Sequence, residues 1–214
     1  MATRVGIILL VVLVLAGSAP SKEWKILDRS DGIEVALREE PDRNLPTMRG
    51  RSVLRGDIER LVAIFLDLER ATEWAEGASK VTVLSKNDNQ AIVHTHVELP
   101  WPVWDRDLVT SSKLITVDPG NEYVWAMTAV TGSVPEKEGV VRMKQSTTRF
   151  HMKKEGPGKV WVEYLVNVHP GGNIPDWLAQ LKAESVPAQT LENLQELLDK
   201  PAKSAPEAPV STPR

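Results

Sequence analysis

Residues 175–198 read PDWLAQLKAESVPAQTLENLQELL, and this stretch decides the fold. Its apolar residues recur three or four positions apart, which predicts one amphipathic helix with Pro175 in its first turn. At 1.5 Å per residue the helix would be about 36 Å long, enough to cross a whole sheet. Its apolar stripe comprises Ile174, Trp177, Leu178, Leu181, Ala188, Leu191, Leu194 and Leu198.

Pro187 lies inside this helix and has no amide hydrogen to donate to the carbonyl of Ala183. We therefore expect the helix to bend there. A bend would let one long helix follow the surface of a curved sheet.

The chain before this helix consists mainly of segments with the residue pattern of strands. Short separators rich in asparagine, glycine and proline predict an antiparallel meander of about nine strands. A smaller helix, with Asp57 as its cap and ending before Gly77, is expected between the third and fourth strands. The expected strands are 24–27, 33–38, 47–54, 81–85, 91–99, 108–117, 123–130, 140–152 and 160–168. The sequence thus predicts an α+β fold, a curved antiparallel sheet of about nine strands wrapped around a long C-terminal α-helix.

The two ends of the chain differ from this domain in composition. Residues 1–19 contain one arginine, an apolar run and then small residues, which is typical of a signal peptide and predicts export. Residues 201–214 are rich in proline and alanine and are expected to be a disordered tail. Residues 21–200 are expected to form a single domain, and without any cysteine it depends on one apolar core.

The charge balance excludes some partners. The chain has 26 Lys and Arg against 29 Asp and Glu, a formal net charge of −3, and it has no basic block. Such a chain is a poor binder of nucleic acid and lacks the polybasic patch for lasting attachment to anionic lipid. Any contact with a membrane is therefore expected to be transient.

Catalytic chemistry has weak support. His94, His96 and Glu98 alternate along one strand, and their side chains could support a zinc or iron site. The simpler interpretation is a polar outward face, because two further ligands are not evident. We predict no catalytic residue, no metal and no cofactor.

The stretch 100–107, PWPVWDRD, interrupts two strand-like segments with two prolines, two tryptophans and three charges. Trp101 and Trp104 either close one end of the core or form a movable lid whose indoles meet a bilayer interface. Both interpretations stay open here.

Four pieces of the sequence, in order, resemble the START lipid-transfer domains of the helix-grip superfamily. They are 57–74 with its Asp67 to Trp74 spacing, 100–109 with Trp-Pro before Arg106-Asp107, 134–142 with Val-Pro before Gly-Val-Val-Arg, and 170–178. The resemblance runs from about residue 24 to residue 198. Signal-bearing bacterial relatives resemble periplasmic proteins.

The resemblance implies a hydrophobic tunnel between the sheet and the C-terminal helix, gated by residues 100–105, with Arg106 and Asp107 as anchors of the gate. Expected ligand contacts are Trp101, Trp104, Trp125, Met127, Arg142, Tyr164, Leu181 and Ala188. Sterol-binding relatives have a buried acidic and basic pair, for which Glu98 with Lys113 or Arg142 are the candidates by strand position.

The predicted function is the binding of a hydrophobic ligand, such as a sterol, a fatty acyl lipid or another hydrophobic small molecule, and its transfer between membranes by an exported monomer. In a Gram-negative host the location would be the periplasm. Two alternatives stay open. One is an enzyme of the same fold, a cyclase or hydrolase, which inward-facing His94, His96 and Glu98 would favour. The other is an interaction module whose cavity is filled with side chains.

Overall fold

A computed structural model describes residues 23–40 and 46–201 of the protein. The predicted signal peptide and nearly all of the predicted tail lie outside the described residues. Within them the strands are β1 Lys25–Ser30, β2 Ile33–Arg38, β3 Thr47–Arg55, β4 Ala78–Lys86, β5 Gln90–Val97, β6 Asp105–Asp118, β7 Glu122–Ala129, β8 Val140–Arg142, β9 Gln145–Gly156 and β10 Lys159–His169. The helices are α1 Ile58–Leu66, a 3₁₀ helix Leu68–Glu73, and α2 Asp176–Asp199.

Nine of these strands form one continuous antiparallel sheet in the order β1-β2-β3-β10-β9-β7-β6-β5-β4. Strands adjacent in the chain pair with each other, with two exceptions. The chain passes from β3 to the far edge at β4 through α1 and the 3₁₀ helix, and β8, which lies between β7 and β9 in the chain, pairs with β6. The last strand, β10, then pairs with β3 and so joins the first three strands to the rest of the sheet. The predicted fold class is confirmed.

One predicted strand, 140–152, is two strands in the structure. Residues of β8 pair in parallel with β6, whereas β9 pairs with β7 and β10. Met143, between β8 and β9, donates its backbone N–H to the carbonyl of Asp107. The predicted strand is therefore divided because β8 pairs with β6. Alternating apolar and polar residues indicate a strand, but they do not show with which other strand it pairs.

Among the other boundaries that differ from the prediction, two lie close to the cavity. Strand β6 begins at Asp105, so Arg106 and Asp107 belong to a strand and the connecting loop covers only residues 98–104. The predicted helix after Asp57 ends as an α-helix at Leu66 and continues as the 3₁₀ helix. Asp57 precedes α1, but its side chain makes no capping hydrogen bond; only its carbonyl accepts, from the Leu61 N–H.

Helix α2 lies across the inner face of the sheet and contacts β2, β3 and β10. Gly50 on β3 permits this close packing. A Cβ atom at Gly50 would lie 2.9 Å from Leu191 Cδ1 and 3.1 Å from the carbonyl oxygen of Pro187. Helix α2 remains continuous across Pro187, whose side chain is buried at this contact.

The apolar stripe of α2 is partly different from the predicted one. Leu178, Leu191, Leu194 and Leu198 are buried as expected, together with Leu197. Trp177 and Leu181, in contrast, are 59% and 52% exposed. They lie on the adjacent face of the helix, which points away from the sheet.

The buried core lies between α1, α2 and the sheet, and it is rich in aromatic rings. Phe65 of α1 contacts Trp74, Trp125 and Phe150, with ring centroids 5.0, 6.2 and 4.7 Å away. Tyr164 stacks on Phe150 at 4.2 Å. The core of α1 and of the C-terminal part of α2 thus fills one end of the concave sheet.

Candidate functional site

The other end of the concave sheet is not filled, and a cavity lies there beneath the N-terminal half of α2. Its outer lobe has a volume of about 270 Å³. Leu178, Ala179, Lys182, Ala183 and Val186 of α2, which form one helical face, line one side of it. Strand ends and loops form the opposite side, through Pro46, Met48, Glu76, Gly77, Val97, Leu99, Arg106, Met143, Val166, Val168, Pro170 and Ile174.

A second, inner lobe of about 170 Å³ extends from the outer lobe towards the aromatic core. The two lobes share four wall residues, Glu76, Val97, Val166 and Val168, so they adjoin each other. Together they fall in the lower part of the roughly 300–1,000 Å³ range of small-molecule sites. The other wall residues of the inner lobe are Leu68, Ala71, Trp74, Ala75, Ala78, Val81, Val93, Thr95, Leu108, Thr110, Ser112, Trp125, Met127, Ser146, Thr148, Phe150 and Tyr164.

Strand register explains why these side chains meet. Trp125 of β7 lies opposite Phe150 of β9, which lies opposite Tyr164 of β10, so three aromatic rings form a row across the sheet. Met127, two residues along β7 and on the same face, lies between Ser112 of β6 and Thr148 of β9. The register therefore brings three predicted ligand contacts, Trp125, Met127 and Tyr164, together on the wall of the inner lobe.

The charged side chains of the cavity wall lie at its outer lobe. Lys182 Nζ of α2 donates to Glu76 Oε1 at 3.0 Å and links the helix to the segment before β4. Arg106 is the third charged residue there. Among the described wall residues of the inner lobe, Glu76 is the only charged one, and it lies where the two lobes meet.

Arg106 holds two loops together at the cavity mouth. Its guanidinium is buried and donates to the carbonyl oxygens of Pro170 and Gly171 at 3.3 and 3.2 Å, and to that of Trp104. Burial lowers the pKa of Arg106 from its usual value, and Asp105 nearby opposes this. Arg106 thus fixes the loop 98–104 against the segment that leads into α2.

Asp107 and Arg142 form an ion pair on the outer face of the sheet. Arg142 donates from Nε and Nη2 to the two carboxylate oxygens of Asp107 at 2.7 and 2.8 Å, and His94 Nε2 lies 2.7 Å from the same carboxylate. Burial alone would raise the pKa of Asp107, but the hydrogen bonds from Arg142 and His94 outweigh it and the pKa is lowered. The hydrogen bond to Asp107 raises the pKa of Arg142.

His94 contacts this ion pair, which places it on the outer face of the sheet and not in the cavity. Because Thr95 and Val97 face the cavity, His94 and His96 project from the opposite face of β5. Glu98 lies beyond the end of β5 and is exposed. Among the described residues, no group of three or more His, Asp or Glu side chains is arranged to hold a metal ion.

The remaining predicted ligand contacts lie outside the walls of both lobes. Arg142 is engaged by Asp107 on the outer face, and Ala188 is partly buried against the core. Trp101, Trp104 and Leu181 are 92%, 63% and 52% exposed. Lys113, a candidate for a sterol-binding pair with Glu98, is also exposed.

Several wall residues were not among the predicted contacts. Ala183 and Val186 line the outer lobe but are not among the predicted ligand contacts, although they lie five and eight residues after Leu178 and therefore on the same side of the helix. Thr110 and Ser112 were omitted because alternation identifies two faces of a strand without saying which one faces inward. Once Trp125 is placed on the inner face, the pairing of β6 with β7 assigns Ser112, opposite Met127, to the same face.

Comparison with known proteins agrees with this geometry. The START domain family model matches residues 10–204. A Pseudomonas aeruginosa protein, "Uncharacterized protein PA1579", is 25% identical over 197 residues, which are 92% of this chain and 97% of that protein. The phosphatidylcholine transfer protein of Rattus norvegicus is 27% identical over 169 residues, which are 76% of this chain and 78% of that protein.

The same similarity is found among solved structures. The STAR-related lipid transfer protein of Xanthomonas axonopodis, a fragment of residues 25–204, superposes with a TM-score of 0.74 at 25% identity, covering 83% of this chain and 99% of that one. With the family model matched over most of its length and the fold shared, this chain belongs to the START domain family.

Proposed function

We propose that this protein binds one lipid in the two-lobed cavity and carries it between membranes without catalysing a reaction. The observation that carries the proposal is the cavity itself, enclosed by apolar side chains of α2 and of the inner sheet face. Removing a lipid tail from water is favourable by about 0.8 kcal/mol per methylene group. A cavity of this kind can therefore compete with a bilayer for a lipid tail.

The relatives support carriage over catalysis. One is named a phosphatidylcholine transfer protein and another a STAR-related lipid transfer protein. An enzyme of this fold would need titratable side chains on the cavity wall. His94 and His96, which would favour an enzyme if they faced inward, project from the opposite face of β5, and the wall residues Glu76 and Lys182 are paired with each other. The open cavity likewise disfavours an interaction module with a filled interior.

The cavity mouth supports transient contact with a membrane. Trp101 and Trp104 expose their indoles from the loop 98–104, and Trp177 exposes its indole from the first turn of α2. Arg106 ties these two segments together, so the three indoles belong to the same end of the molecule. Tryptophan is favoured at the interface between lipid and water. None of the described helices is long and apolar enough to cross a membrane.

We further propose that the loop 98–104 and the N-terminal half of α2 open together as a gate, with Pro187 at the hinge. Pro187→Ala would restore the missing helical donor and is expected to slow the exchange of a bound fluorescent lipid. Unchanged exchange kinetics in stopped-flow measurements would contradict a hinge at this position.

Export and a monomeric state complete the proposal. Export rests on the composition of residues 1–19, and a monomer suffices because residues of one chain line both lobes of the cavity. Intact mass of the protein recovered from a secreting host tests the first, since cleavage should remove about 20 residues. Light scattering after size exclusion tests the second.

Lipid binding is tested by native mass spectrometry of protein extracted mildly from its host. Ala183→Trp, which places a large side chain in the outer lobe, is expected to abolish co-purification of a lipid. Gln180→Trp, three residues earlier on an exposed face of the same helix, is the matched control and should keep it. A wild-type protein that takes up no lipid from vesicles would contradict the proposed function.

Membrane contact is tested separately by tryptophan fluorescence with vesicles that contain doxyl lipids. The combined variant Trp101→Ala and Trp104→Ala is expected to lose most of the quenching and to transfer lipid more slowly. Equal quenching in the wild type and in the variant would show that these indoles do not enter the bilayer.

A further inference from the structure

The described wall of the outer lobe has a positive net charge. Its charged residues are Lys182, Arg106 and Glu76, two cations against one carboxylate, which gives a net charge of +1. Lys182 Nζ lies 3.0 Å from Glu76 Oε1, so these two side chains largely neutralise each other. The charge of Arg106 is therefore the one that remains.

The charge of Arg106 is buried without an ion pair. Arg106 is 2% exposed, and its guanidinium donates to the backbone carbonyl oxygens of Trp104, Pro170 and Gly171. Of the carboxylates that the structure describes, Asp105, its neighbour in the chain, is the one near enough to act on it. An arginine stays ionised in proteins, and its charge acts strongly where water is excluded. The outer lobe therefore attracts a negative charge.

Lys182 can contact an anion directly. Its ammonium group has more than one N–H to donate, and within the described part of the chain it contacts a single acceptor, Glu76. The Lys182 side chain is 32% exposed and belongs to the helical face that lines the outer lobe. A carboxylate or phosphate oxygen in this lobe can therefore accept a hydrogen bond from Lys182 while the bond to Glu76 is kept.

The inner lobe is unsuited to an anion. Its described wall has one charged residue, Glu76, which is itself negative, and an anion there would be buried without a counter-charge. The wall is otherwise apolar or carries hydroxyl groups, and it suits an alkyl chain. An amphiphile would thus place its charged head group in the outer lobe and direct its chain towards the inner lobe.

A cationic head group is disfavoured in the outer lobe. The net positive charge of the wall repels it. Quaternary ammonium groups are bound by the faces of aromatic rings, and the described wall residues of this lobe include no aromatic side chain.

We propose that the outer lobe binds the head group of a lipid with a net negative charge, a carboxylate or a phosphate, through a hydrogen bond from Lys182 and the buried charge of Arg106. This inference rests on the proposed lipid-binding function and specifies the ligand class of the same cavity.

The test compares probes that share one alkyl chain and differ in the head group: hexadecanoate, hexadecyl phosphate, hexadecanol and hexadecyltrimethylammonium. Each displaces a neutral fluorescent lipid from the purified full chain in alkaline buffer of low ionic strength. The wild type is expected to bind at least one of the two anions about tenfold more tightly than the alcohol, and the cation more weakly than the alcohol. The anion that is preferred identifies the head group as carboxylate or phosphate. Raised salt should reduce the preference.

Two substitutions should change this preference in opposite directions. Glu76→Gln removes the negative charge beside Lys182 and should raise the ratio of anion to alcohol affinity severalfold. Lys182→Met removes the direct donor and should lower the ratio to below about threefold. A looser cover changes both affinities together, so an ion pair with a purely structural role would leave the ratio unchanged in both variants. The matched control is Lys113→Met, which replaces an exposed lysine on β6 and should keep the wild-type ratio.

The failure of this inference and that of the proposed function give different results. Anions that bind no more tightly than the alcohol, or a cation that binds more tightly than both anions, would overturn the inference while lipid binding stands. A preference for anions that neither substitution changes would also overturn it. If the protein takes up neither the fluorescent lipid nor any probe, the proposed function itself is contradicted.

Discussion

The two halves of α2 have the same helical geometry but different surroundings. The C-terminal half, from Pro187 to Asp199, buries Leu191, Leu194, Leu197 and Leu198 in the core. The N-terminal half, from Asp176 to Val186, buries only Leu178 and covers the outer lobe of the cavity. One half therefore stabilises the fold, whereas the other is a cover held by few contacts. The difference shows how one helix can be both part of the core and part of a gate.

The largest difference between the halves should appear when a leucine is truncated. Leu191→Ala removes a fully buried side chain from the C-terminal half and is expected to lower the free energy of unfolding by about 2–5 kcal/mol. Leu181→Ala, in the N-terminal half and half exposed, should change it by less than about 0.5 kcal/mol. Urea unfolding followed by circular dichroism measures both. Similar losses for the two variants would contradict the distinction.

The contact between Gly50 and the C-terminal half gives a second, smaller effect. Gly50→Ala places a methyl group 2.9 Å from Leu191 Cδ1 and should cost about 1–3 kcal/mol, because the helix must shift. In the double variant with Leu191→Ala the cost should be less than the sum of the single costs, since the truncated side chain leaves room. Strict additivity in urea unfolding would show that the two residues do not compete for space.

Hydrogen exchange should distinguish the halves without any substitution. In the ligand-free protein, amides 180–186 are expected to exchange about tenfold faster than amides 191–198, because local opening of the cover does not expose the core. Saturation with a lipid should slow exchange in the first group and leave the second unchanged. Uniform protection along α2 would mean that the helix moves as one body.

The sequence predicted the existence of α2 and of the sheet because both depend on local periodicity. Apolar residues three or four apart identify the helix, and alternation identifies the strands. The division of 140–152 into β8 and β9 was not predictable in this way, because it depends on the pairing of β8 with β6. The direction of Trp177 and Leu181 was missed for a similar reason. Their apolar character suggested burial, but the phase of the helix on the sheet decides it.

The site was predictable only in part. Trp125, Met127 and Tyr164 were expected to contact a ligand and do line the inner lobe. Arg142 was expected there as well, yet it pairs with Asp107 on the outer face, because the register of β8 with β6 places Arg142 beside Asp107. Which face of β5 and β6 points inward is set by the side of the sheet that α2 covers, and α2 begins at Asp176, 58 residues after β6 ends at Asp118.

The smallest effect concerns the ion pair between Lys182 and Glu76, which fastens the N-terminal half to the segment before β4. Lys182→Met removes the charge and keeps an apolar stem of similar length. The pair is partly solvent-exposed, so the loss in free energy of unfolding should be below about 1 kcal/mol. Lipid exchange depends on the opening of this cover alone and should accelerate severalfold in stopped-flow measurements.

Raised salt should accelerate exchange in the wild type and not in the variant, because salt screens only a pair that exists. The control is Lys113→Met, which replaces an exposed lysine on β6 and should leave lipid exchange unchanged. If that variant exchanges lipid as fast as Lys182→Met, the ion pair does not restrain the cover, and Leu178 together with the loops held by Arg106 must account for its closure.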